Sequence, residues 1–107
     1  MKLWIDDVRP APEGYSGWCK SVRQAKAVIQ ALEYCKDIFI DNDCNIELID
    51  IDHDAGEYVN DGGDYIKLLD WLEETGRNYP IRIHSMNPVG VENMRRIIQR
   101  NGWEEVK

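Results

Sequence analysis

A chain of 107 residues has room for one domain, spanning 1–107, with one core. Its formal net charge of −7, from 20 acidic against 13 basic side chains, argues against a broad electrostatic grip on duplex DNA, and no apolar run approaches the roughly 18 residues that span a bilayer. Aspartates at positions 6 and 7 interrupt the start before a signal-peptide core could form, and the three cysteines, Cys19, Cys35 and Cys44, are odd in number without a CxxC pair, so a reducing, cytoplasmic compartment is expected.

Lys2 to Ile5 reads as a short buried strand, and the proline-bearing Arg9–Gly14 run after it as a loop. Trp18 to Lys20 is a second candidate strand. Ser21-Val22-Arg23-Gln24 has the form of a capping box, and Val22, Ala25, Ile29 and Leu32 then recur at helical spacing as far as about Cys35. Asp41 to Asn45 reads as a polar turn and Glu47 to Asp52 as a strand. Tyr65, Leu68, Leu69 and Leu72 mark one face of a second helix that stops at Gly76. Pro80 to His84 is the next strand. Asn87-Pro88 opens a third helix with Val91, Met94 and Ile98 on its buried side, and Gly102 to Val106 could add a last strand. This alternation predicts an α/β domain on a mostly parallel sheet of four to five strands, with helices on both faces and the strand ends gathered on one rim.

Three polar clusters fall on that rim: Asp6-Asp7, Asp52-His53-Asp54 and His84-Ser85-Met86-Asn87. Carboxylates of Asp6, Asp7 and Asp52 on neighbouring strand ends would repel one another unless a cation sat among them, and Mg²⁺ suits hard oxygen donors that also face a phosphate. Otherwise Asp6 and Asp7 cap a turn and pair with Arg9. The two histidines, His53 and His84, are an acid and a base for proton transfer, or ligands to a softer metal beside Asp52 or Asp54, or structural. Ser85 is a phosphate donor rather than a nucleophile, and Asn87 caps the helix or binds phosphate. Arg9 either pairs with a phosphate or neutralises Asp6 and Asp7. Lys67 and Arg82 are assigned to solvent, the basic residues of the first and third helices to solvated faces, and the four tryptophans to packing.

An acidic pair ending the first strand, Asp52 ending a central one and Ser85 ending the next resemble the acidic pair, phosphoacceptor and hydroxyl of response-regulator receiver domains. The runs Leu3–Gly14, Asp52–Gly56 and Ile83–Met94 are more similar to the cyclic-phosphate processing receiver domains. That resemblance implies a receiver-like, flavodoxin-like three-layer sandwich and hydrolysis of cyclic phosphates, with a small cyclic nucleotide or an RNA terminus as the partner. It places Asp6, Asp7 and Asp52 in the acidic pocket, His53 and His84 as the family's added histidines and Ser85 as the hydroxyl. Two other readings stand beside it: a signalling receiver phosphorylated on Asp52, and a receiver that binds nucleotide or protein without turnover. Asp52-His53-Asp54 and the lack of a lysine ending a fifth strand speak against the first of these.

Overall fold

The computed structural model describes residues 1–39 and 42–107. Four strands, β1 (Lys2–Ile5), β2 (Gly17–Cys19), β3 (Leu48–Ile51) and β4 (Ile81–Ile83), form an all-parallel sheet in the order β2-β1-β3-β4. Three helices join them: α1 (Val22–Phe39), α2 (Ile66–Glu74) and α3 (Pro88–Asn101). This is the receiver-like α/β fold expected from the alternation. The candidate last strand is reduced to one parallel bridge, Ile81 with Glu105, closed by Ile81 N–H to Glu104 O and Val106 N–H to Ile81 O.

Strand order fixes where the helices lie. The connections from β2 to β3, from β3 to β4 and onward from β4 all advance in one direction across the sheet, so right-handed crossovers put α1, α2 and α3 on the same face. Only the β1–β2 connection runs the other way, and it is an irregular segment, residues 6–16, rather than a helix. Helices on both faces were expected; here Pro10 and Pro12 keep the one backward connection out of helix, so the layer opposite the helices is a loop.

Register then sorts the side chains. Leu3, Ile49 and Ile81 are partners across the sheet, as are Ile5, Ile51 and Ile83 one period on, and all point toward the helices. There they meet Val22, Ala25 and Ile29 of α1, Leu68, Leu69 and Leu72 of α2, and Met94, Ile97 and Ile98 of α3. Each such buried side chain contributes roughly 1.5–3 kcal/mol before entropy is counted. Trp4, Asp50 and Arg82 sit in register on the opposite face, under the loop.

Local signals place the helix starts. Ser21 Oγ accepts from Gln24 N–H at 3.0 Å, while Gln24 Oε1 accepts from Lys20 N–H rather than from Ser21's own, a capping box displaced by one residue. Helix α1 passes Cys35 and runs to Phe39. Of the expected polar turn, Asp41 lies outside the described residues and Asn42–Cys44 forms a 3₁₀ turn. Against the reducing surroundings expected from the cysteines, Cys44 there forms a disulfide with Cys35, their Cα atoms 6.2 Å apart, and Cys19 is buried as a free thiol. Among the described residues no helix is long and apolar enough to cross a membrane.

Candidate active site

The carboxyl ends of β1 and β3 lie side by side, since Ile5 and Ile51 are register partners, and Asp6, Asp7 and Asp52 follow them directly. One carboxylate oxygen from each lies within 4.8 Å of the other two. Backbone geometry builds this cluster. Asp6 Oδ1 accepts from Val8 N–H at 3.0 Å and Arg9 N–H at 2.9 Å, an Asx turn that folds the chain back over the strand end. Asp7 lies against Gly56, whose φ of 55° is left-handed and whose missing Cβ leaves the space that Asp7 Oδ2 occupies.

Burial and charge act oppositely on the first two aspartates. Burial alone would push the Asp6 carboxyl up, but the N–H groups of Arg9 and Val8 and the His84 ring together hold it below the ordinary carboxylate range. Burial raises Asp7, and the charges of Asp6 and Asp52 add to that rise. A cation would relieve this repulsion. The donor set is three carboxylates with no sulfur or imidazole in the cluster, so it fits a hard ion such as Mg²⁺ or Mn²⁺.

The structure places the two histidines apart. His84, after β4, turns to the loop-covered face and stacks on Trp4 with ring centroids 3.7 Å apart and planes 1° from parallel. Its Nε2 meets Asp6 Oδ2 at 2.9 Å and its Nδ1 meets Asp50 Oδ1 at 2.6 Å. Carboxylates on both sides are acceptors only, so they are satisfied together when both ring nitrogens carry hydrogen. His53 lies in the opposite direction, against Gly90 of α3, where a Cβ would overlap its ring. Its Nδ1 is 2.8 Å from Asp54 Oδ1, and Asn87 Nδ2 stands 3.4 Å from the same oxygen. No hydrogen bond joins the two histidines among the described residues, and neither belongs to the carboxylate cluster.

The remaining expected residues line the same rim. Asn87 is the α3 N-cap, its Oδ1 accepting from Gly90 N–H at 3.0 Å, and Pro88 occupies the first turn. Pro88 has no N–H and Gly90's is taken, so Val89 carries the turn's free donor among the described residues. Ser85 Oγ accepts from Asn87 N–H at 3.1 Å and keeps its own hydrogen to donate. Arg9 does not pair with Asp6 or Asp7 through its side chain. Arg9 is exposed, while its backbone carbonyl accepts from Trp4 Nε1 at 2.8 Å.

Asp50, Tyr15, Trp4 and Arg82 were not foreseen here. Asp50 is fully buried on the loop-covered face and accepts from Tyr15 OH, Arg82 Nη1 and His84 Nδ1. Arg82 is therefore tied to a buried carboxylate rather than left to solvent. The visible signal was an aspartate in the middle of an apolar strand, a position where a charge survives only with partners. By contrast, Arg95, Arg96 and Arg100 are spent on Glu105, Glu92 and Glu73.

A parallel α/β sheet with an acidic pair after β1, a third aspartate after β3 and a hydroxyl after β4 defines a receiver-like domain. Residues 1–100 match the family model described as the cyclic-phosphate processing receiver domain, and the chain belongs to that family. Neither the curated proteins nor the solved structures contain a match.

Proposed function

We propose that this domain is a phosphoesterase that opens cyclic phosphates of a small nucleotide or an RNA terminus. The observation that carries the reading is the Asp6–Asp7–Asp52 cluster, followed one residue past Asp52 by a histidine whose Nδ1 is tied to a carboxylate. Asp6, Asp7 and Asp52 would hold Mg²⁺, which would supply positive charge against the phosphate oxygens. Arg9, the Ser85 hydroxyl and the Val89 N–H supply further positive charge and donors at the same rim.

Ring opening adds water to phosphorus and breaks one P–O bond, so a proton leaves the water and a proton reaches the departing 2′ or 3′ oxygen. With Nδ1–H donating to Asp54, the Nε2 of neutral His53 holds the lone pair that accepts the first of these; the resulting imidazolium can return it to the leaving oxygen. His84 keeps neither nitrogen free and works through Asp6 instead.

Phosphorus NMR with a panel of 2′,3′-cyclic nucleotides and cyclic-phosphate-ended RNAs, with and without Mg²⁺ or Mn²⁺, tests this. Turnover that needs the ion and is lost in His53→Ala supports it. No ring opening of any member by the wild-type protein sinks it; modification of Asp52 by acetyl phosphate in that case points to a signalling receiver instead.

A further inference from the structure

Asp50 is fully buried on β3, two residues before Asp52, and its carboxylate points away from the helices. Burying it costs several kcal/mol unless partners compensate. Three do: Tyr15 OH, Arg82 Nη1 and His84 Nδ1. An apolar residue under the same loop would give comparable stability with no charge to satisfy, so the arrangement calls for a further reason.

The hydrogen bonds lead to one. His84 is held from both ends and from its face: Asp50 on Nδ1, Asp6 on Nε2 and Trp4 stacked on the ring. Its freedom to rotate or slide is thereby removed. On the far side, Asp6 has Oδ1 committed to two backbone N–H groups and Oδ2 to His84, so the plane of its carboxylate is set by these three donors. Oδ2 keeps lone-pair capacity beyond its bond to His84, and the direction in which that capacity points depends on the histidine.

We infer that Asp50 is a positioning residue for the carboxylate cluster: through His84 it fixes the orientation of Asp6, and with it the affinity of the cluster for a divalent cation. This rests on the reading of Asp6, Asp7 and Asp52 as a cation site. The arrangement parallels the outer-shell carboxylates that orient metal-bound histidines, with the order of groups extended by one. Tyr15 and Arg82 hold Asp50 but, among the described residues, make no hydrogen bond to His84 or Asp6, which separates their role from the link itself.

The test uses the full chain and Mn²⁺ as the probe, with free Mn²⁺ followed by electron paramagnetic resonance. Asp50→Asn, nearly isosteric, is expected to keep the far-ultraviolet circular dichroism and a cooperative melt while raising the Mn²⁺ Kd about tenfold. His84→Gln, whose amide cannot bridge both carboxylates, gives the same loss should Asp50→Asn fail to fold. Tyr15→Phe keeps the link and is expected to hold the Kd within about twofold. A folded Asp50→Asn or His84→Gln protein with wild-type affinity overturns the inference, as does a Tyr15→Phe loss equal to theirs, which marks general loosening. Should the wild-type protein bind no Mn²⁺, the cation reading fails on its own. The ¹³Cγ resonance of Asp6 in metal-free protein then decides: displaced in Asp50→Asn, the positioning stands; unmoved, it falls.

Discussion

His53 and His84 are of one residue type at similar places in the chain, each beside a strand end, yet their surroundings give them different chemistry. His84 is enclosed by Asp6, Asp50 and Trp4, whereas His53 has only Nδ1 engaged and rests on a glycine. Gly90 in the first turn of α3 is thus part of the site. In a free helix Gly90→Ala would gain about 1 kcal/mol, and here the displaced ring costs about 1–3 kcal/mol. The melting midpoint should fall only modestly while the His53 ring resonances shift, and the cyclic-phosphate turnover we propose should drop about a hundredfold, the scale of a misplacement near 1 Å. Unmoved His53 resonances in a folded variant would refute this. Cys19 offers a simpler case. Burial pushes its thiol up to about 11 and shields it, so a thiol reagent should leave it unmodified in the native protein and label it stoichiometrically in denaturant.

At the scale of elements, apolar periodicity placed all three helices within a few residues, because Val22, Ala25 and Ile29, then Leu68, Leu69 and Leu72, then Met94 and Ile98, face a common core. The clusters after β1, β3 and β4 were legible too, since strand ends in a parallel sheet share one rim. What could not be read was the partition of that rim into two sides. Whether a histidine past a strand end turns toward helices or loop depends on non-local partners such as Trp4 and Gly90, and the Asp50 network joins residues 32 to 35 positions apart. The same holds for the tie between α1 and the segment before β4. Arg77 binds Glu33 through Nε and Nη2, and Tyr79 OH donates to the same carboxylate. The Arg77 hydrogen bonds hold Glu33 below the ordinary glutamate range, against the opposing effect of burial. A depressed carboxylate stabilises the fold above its unfolded value and loses that contribution as pH falls through the folded one. Glu33→Gln should therefore cost about 1 kcal/mol at neutral pH, roughly 5 °C in midpoint, and the gap from wild type should close as pH falls from the ordinary glutamate range through the lower folded value. A gap that stays constant through that window would show that the charge of Glu33 is not the cause.

For the molecule as a whole, three of the 20 acidic residues are gathered where negative charge is least easily tolerated. Arg77, Arg95 and Arg100 pair with glutamates away from the site, whereas Asp6, Asp7 and Asp52 crowd at one strand edge. Asp7 bears the strain: burial, and then the charges of Asp6 and Asp52, raise its carboxyl. An acid whose folded value lies above its unfolded one binds its proton more tightly when folded. The metal-free domain therefore loses stability as pH rises through that folded value, and at neutral pH the ionised Asp7 works against the fold. Two opposite consequences of one substitution follow. Asp7→Asn should raise the midpoint of the metal-free protein by a few degrees, since it removes a repelled charge. It should also abolish the stabilisation by Mg²⁺, which at a hundredfold over Kd amounts to about 2.7 kcal/mol, on the order of 10 °C for a domain of this size. Thermal melts in chelator and in Mg²⁺ at matched ionic strength read both effects. A substitution that lowers the metal-free midpoint, or that leaves the Mg²⁺ increment intact, would remove Asp7 from the cation site and leave its burial to be explained by packing against Gly56 alone.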